Sequence, residues 1–152
     1  MKMARRAAPR KISGMQRIGC GVDVVELARF RAAVARGGRA FMRRVFTAQE
    51  EAYATARPRT KLLHLAGRFA AKEAVIKAVS QLDSARMFTM NQVEVHNDRH
   101  GRPHIILHDA RFKRIHVHVS LSHVDTVAIA SAIAIKCRQT PWDVECRMSN
   151  VE

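Results

Sequence analysis

The chain has 152 residues, is 47% apolar and 5% aromatic, and carries a formal net charge of +14. That length suits one domain with its own core. No apolar run approaches the roughly 18 residues of a membrane span, and Cys20, Cys137 and Cys146 are too few and too scattered for a disulfide framework or a zinc site, which points to a reducing cytoplasm.

The charge calls for a polyanionic partner. Six of the positive charges fall on residues 1–17, which hold no acid, leaving +8 for the remainder. That stretch has no apolar segment of the secretory type. Its likeness to an Arg-rich transit peptide is weak, and residues 1–16 read as a disordered basic extension. From Arg17 the period becomes two: Ile18, Cys20, Val22 and Val24 alternate with Gly19, Gly21 and Asp23, predicting a half-buried strand over 17–24. Gly19 and Gly21 leave room on Asp23's face for a backbone or a ligand. A lone Asp ending a strand is more often a helix cap.

Helical patterns follow over 26–36 and 40–45, separated by a Gly37-Gly38 break. Thr47-Ala48-Gln49-Glu50 is a capping box opening a short helix to about Arg57. Pro58 stops it, and a long helix is expected from about Arg59 to Gln81. Strands are then predicted over 91–96 and 104–108, joined by a turn at 97–101, and over 115–121 and 127–136, joined at 122–126. The tail, 137–152, is broken at Pro141-Trp142 and shows no periodicity. One strand, a helical block and a run of hairpins indicate a small single α+β domain, a mainly antiparallel sheet packed on the long helix.

Three patterns bear on chemistry. At about 100° per residue, Glu73 shares a stripe with Leu62, Ala66, Phe69, Ala70 and Lys77, with Arg68 and Lys72 opposite, on the face expected to be solvated. A carboxylate in that stripe needs a cation, either Lys77 one turn later, a metal ion, or both. The plainer alternative is a solvated i,i+4 pair worth ~0.2–0.5 kcal/mol. On the last strand, Val127, Ile129, Ser131, Ile133 and Ile135 line one face and Ala128, Ala130, Ala132 and Ala134 the other. The bare alanine face admits a close neighbour, a helix of the same chain or another subunit. His116 and His118 share the solvent-facing parity of their strand, whereas His123 has the inward parity of Val117, Val119 and Leu121.

Four segments together resemble a known family: Gly21-Val-Asp23-Val-Val-Glu26-Leu-Ala-Arg29, Leu65-Ala-Gly67-Arg68-Phe69-Ala-Ala-Lys72-Glu73-Ala-Val-Ile-Lys77-Ala, Gly101-Arg-Pro103, and His118-Val-Ser120-Leu-Ser122-His123. They look like the holo-acyl-carrier-protein synthases, small 4′-phosphopantetheinyl transferases, over about residues 17–136. The resemblance implies magnesium-dependent transfer of 4′-phosphopantetheine from coenzyme A to a serine of an acidic apo acyl carrier protein, releasing 3′,5′-ADP. It also implies a homotrimer with shared active sites.

By motif position, Asp23 and Glu73 would hold Mg²⁺, and Glu73, Lys77 and His123 would be catalytic. Coenzyme A would meet Arg59, Lys61, Arg68, Lys77, Pro103, Ser122 and His123, while Arg29, Arg36 and Arg39 would dock the carrier protein. Two carboxylates with a lysine form a sensible minimum for this chemistry. Glu73, a metal-bound water and His123 stay open as the base, as does the kind of synthesis the carrier serves. Members usually carry a Gly-rich loop after the long helix, whereas residues 80–90 here contain no glycine. Two other readings compete. The charge suggests a nucleic-acid-binding module, against which stand the scarce aromatics and the lack of a recognition motif. A non-catalytic scaffold from the same family is opposed by the presence of Asp23, Glu73, Lys77 and His123 together.

Overall fold

The computed structural model describes residues 17–83 and 88–137. Strand β1 (Arg17–Glu26) leads directly into α1 (Leu27–Val45), α2 (Ala48–Thr55), a 3₁₀ turn (Pro58–Thr60) and the long helix α3 (Lys61–Ser80). Strands β2 (Val93–Asn97), β3 (Pro103–Leu107), β4 (Ile115–His123) and β5 (Val127–Lys136) follow. β1, β5 and β4 form one antiparallel sheet in that order, and β2 and β3 form a separate hairpin. This is the α+β arrangement the periodicities predict. The basic extension, positions 84–87 of the glycine-free loop, the tail beyond Cys137, and with it Cys146, lie outside the described residues.

Small residues decide how the sheet meets α3. A Cβ on Gly19 would overlap the carbonyl oxygen of Ala78, and one on Gly21 that of Ala74. The room expected beside these glycines is thus filled by helix backbone. The strand register puts Asp23 opposite Ala130 and Ala130 opposite Leu121, so the alanines of β5 share this inner face. Ala128, Ala130, Ala132 and Ala134 are fully covered, as are Ala66, Ala70, Ala74 and Ala78 of α3. A second subunit on the alanine face is therefore excluded, because the chain's own helix occupies it. The bulky residues are those left outside: Ile18, Val22, Val24, Ile129 and Ile133 are between 40% and 63% exposed.

The predicted break in the first helix is a kink at Gly38, whose φ of 51° and ψ of −140° interrupt α1. Phe30 before the kink and Phe41 after it both pack on Phe69 of α3, with ring centroids 5.5 and 6.3 Å away. The capping box forms as read, with the Thr47 hydroxyl accepting from the Glu50 N–H and Glu50 accepting from the Thr47 N–H. β1 runs two residues further than predicted, because Val25 and Glu26 still pair with Ala128 and Val127.

One expectation fails outright. Arg68 and Lys72, placed on a solvated side of α3, are 5% and 0% exposed. The helical wheel supposes a helix with one wet face, but α3 has the sheet on one side and α1, α2 and β2 on the other. A cation can remain there only with partners. Lys72 has them: Glu50 at 2.6 Å and the carbonyls of Val45 and Met90 at 2.7 and 3.1 Å.

Candidate active site

The close approach of β1 to α3 carries Asp23 to the last turns of the helix. Lys77 Nζ donates to Asp23 Oδ1 at 2.8 Å and to the Val22 carbonyl at 3.0 Å. The pair is open, with side chains 49% and 18% exposed for Lys77 and Asp23. Glu73 lies one turn before Lys77 and is half-buried. Burial pushes its carboxyl above the ordinary value, and the Asp23 charge adds to that, while Lys77 works against it. Two carboxylates thus face one ammonium, leaving excess negative charge beside half-buried oxygen atoms.

That excess charge is of the kind a hard divalent cation neutralises. Among the described residues no group of three or more His, Cys, Asp or Glu is placed to hold a metal. Asp23 and Glu73 are two carboxylates, a donor set that fits Mg²⁺ because that ion retains several waters.

His123 lies on the same inner face, opposite Ala128 and two residues beyond Leu121, and is exposed. It is near enough to His64 for its charge to depress that imidazole, after the larger effects of burial, Arg68 and Arg57. Among the described residues, neither His123 nor Ser122 hydrogen-bonds or ion-pairs with Asp23 or Glu73. Ser122 is exposed on the opposite, outer face of the sheet, and Pro103 opens β3 on the separate hairpin. Arg59 in the 3₁₀ turn and Lys61 at the start of α3 are exposed. A single chain thus brings together Asp23, Glu73 and Lys77, and leaves the other expected contacts dispersed.

Arg68 is a wall residue rather than a free arm. Its guanidinium lies 4.0 Å from the Tyr53 ring centroid and donates to Asn97 Oδ1 at 2.7 Å, while its buried Nε has no partner. Tyr53, His64 and Asn97 escape the sequence reading, since no local pattern links them to Arg68. The Glu50–Lys72 pair escapes it as well. Glu50 Oε1 accepts the Val95 N–H at 2.9 Å, so this carboxylate joins α2, α3 and β2. Its capping role hid the second one. On α1, Arg29, Arg36 and Arg39 are all exposed. Arg36 and Arg44 flank a concavity of about 510 Å³ lined by Ala33, Gly37, Ala40 and Phe41.

The sequence profile of the 4′-phosphopantetheinyl transferase superfamily matches residues 19–133. The holo-[acyl-carrier-protein] synthase of Chlorobaculum parvum is 42% identical over 113 residues, covering 74% of this chain and 94% of that protein. The chain belongs to the holo-acyl-carrier-protein synthase family. It is accordingly an enzyme, and the nucleic-acid-module reading gives way. The counterpart from Halalkalibacterium halodurans is 40% identical, covering 76% of this chain and 93% of its own.

Solved structures of the family share the fold. The coenzyme A complex of the Chronobacterium ammoniagenes synthase superposes with a TM-score of 0.70 at 30% identity, covering 80% of this chain and 99% of that one. The Bacillus anthracis synthase in complex with CoA (3′,5′-ADP) gives 0.66 at 30% identity, covering 81% and 100%. No helix among the described residues is long and apolar enough to cross a membrane.

Proposed function

We propose that the protein transfers 4′-phosphopantetheine from coenzyme A to a serine hydroxyl of an acidic apo acyl carrier protein, with Mg²⁺ required and 3′,5′-ADP released. The observation that carries this reading is the convergence of Asp23, Glu73 and Lys77, two carboxylates and an ammonium at an open edge of the fold. In the reaction the serine oxygen forms a bond to the phosphorus bearing pantetheine, and the bond from that phosphorus to 3′,5′-ADP breaks. Asp23 and Glu73 would hold the metal, which would supply charge neutralisation at the diphosphate. Lys77 offers its ammonium to the same diphosphate, and His123 approaches from the end of β4. The serine proton passes to Glu73, to water or to His123.

Arg59 and Lys61 offer exposed cations to the phosphates of coenzyme A. Arg68, held by Tyr53 and Asn97, contributes fixed positive charge behind them. Exposed Arg29, Arg36 and Arg39 meet the acidic carrier. The transferase domain occupies 17–136, between the basic extension and the tail, and works in the cytoplasm.

Three copies assemble through the outer sheet face. Its exposed isoleucines and valines support this, since contiguous apolar surface of this kind marks interaction sites. Ser122 shares that face, so assembly through it would bring Ser122 of one chain toward a neighbour's site.

The test is stoichiometry. With coenzyme A, Mg²⁺ and apo carrier protein, one 3′,5′-ADP should appear per carrier modified, and chelation of the metal should stop both. Equal turnover in the presence of a chelator, or nucleotide release without carrier modification, would refute the reading.

A further inference from the structure

The contrast between two lysines of α3 carries an inference about Lys77. Lys72 is fully enclosed and has three acceptors. Lys77 is half exposed, stands near the helix end, and among the described residues donates only to Asp23 Oδ1 and the Val22 carbonyl. We propose that Lys77 is an exchangeable cation: it occupies Asp23 until a divalent metal ion and an anionic diphosphate arrive, and its departure makes their binding interdependent. The proposal rests on the reading of Asp23 and Glu73 as metal ligands.

The argument is one of charge. Asp23 and Glu73 together carry two negative charges, and Lys77 supplies one positive. A divalent ion entering beside them leaves Lys77 next to surplus positive charge and takes away its carboxylate partner. The metal alone must therefore displace an existing ion pair. An anion changes that balance, because its oxygens accept from the ammonium that the metal has displaced. Each ligand then strengthens the binding of the other, a coupling that is reciprocal by linkage.

Mn²⁺ binding to the full chain tests this, read by loss of the free-ion electron paramagnetic resonance signal, with and without coenzyme A and with no carrier protein. Wild type should bind Mn²⁺ weakly alone and markedly tighter with coenzyme A. Lys77→Gln should bind Mn²⁺ about five- to tenfold tighter than wild type in the absence of coenzyme A, and should gain little on its addition. Lys77→Arg, which keeps the charge, should behave as wild type. Asp23→Asn should abolish Mn²⁺ binding in both the wild-type and the Lys77→Gln background. A Lys77→Gln protein that melts cooperatively yet binds Mn²⁺ no more tightly than wild type, with binding still lost in Asp23→Asn, would overturn the exchange and spare the metal site. Mn²⁺ binding indifferent to Asp23→Asn would overturn both.

Discussion

Two lysine–carboxylate pairs sit on opposite sides of one helix, and they differ in almost everything except composition. Lys72 and Glu50 are wholly enclosed, and between them they engage the backbone of Thr47, Val45, Met90 and Val95. Lys77 and Asp23 lie at an open edge, with Glu73 as a third, imperfectly neutralised charge. In the enclosed pair all three ammonium protons of Lys72 and both oxygens of Glu50 are engaged, so it can fix geometry but cannot readily exchange partners. The open pair holds charges that water already reaches, and can give them to a ligand. Charge on a buried element is architecture in the first case and chemistry in the second.

The widest gap should appear when each lysine is truncated. Lys72→Met leaves Glu50 enclosed without its cation, and should lower the free energy of unfolding by about 3–5 kcal/mol. Lys77→Met should cost under about 1 kcal/mol while slowing transfer by about a hundredfold or more, as losing one preorganised donor does. Urea denaturation and turnover measured on both variants check this. Equal stability losses would erase the distinction.

The two faces of the main sheet sharpen the same contrast between covered and open. Ala130→Glu forces a carboxylate into the packed layer against α3 and should prevent folding, at a cost of several kcal/mol. Ile133→Glu, on the exposed face, should leave a cooperatively folding chain of lower assembly mass by sedimentation. A folded Ala130→Glu protein would contradict the packing described.

A smaller effect belongs to the carrier surface. Arg29→Glu should raise the KM for carrier protein by about five- to tenfold and leave that for coenzyme A unchanged, a loss of roughly 1 kcal/mol at a charged rim. Equal changes for both substrates would remove Arg29 from docking.

The smallest concerns Glu73 in the metal-free protein. Burial and the Asp23 charge raise its pKa, so the folded state holds the proton more tightly than the unfolded chain does. Ionisation of Glu73 therefore opposes folding. The penalty is absent below the unfolded carboxyl value, near about pH 4, and grows as the pH rises through the folded one. Glu73→Gln should raise Tm at pH 7 and leave it unchanged near about pH 4. A lower Tm at pH 7 would show that Lys77 outweighs the other two effects.

These contrasts also explain what a reader of the sequence can and cannot see. The capping box at Thr47–Glu50, the break at Gly38 and the period-two strands are legible because each depends on residues a few positions apart. The neighbourhood of Asp23 and Glu73 is not legible from spacing. It follows from Gly19 and Gly21 letting α3 come close, and only the family motifs pair the two carboxylates beforehand. Arg68 and Lys72 mislead because helix periodicity presumes one solvated side, and Glu50, 45 residues before its β2 partner Val95, gives no local sign of it. The alanines of β5 announce a close neighbour without saying which, and the helix of the same chain fills that role.

Mass spectrometry of an apo carrier protein tests the central claim most directly. After incubation with coenzyme A and Mg²⁺, wild-type enzyme should add the mass of one phosphopantetheine group to the carrier, while Asp23→Ala and Glu73→Ala, both melting cooperatively, should add none. Full modification by either variant, or no mass gain with wild type across carriers from fatty-acid, polyketide and peptide synthesis, would contradict the account.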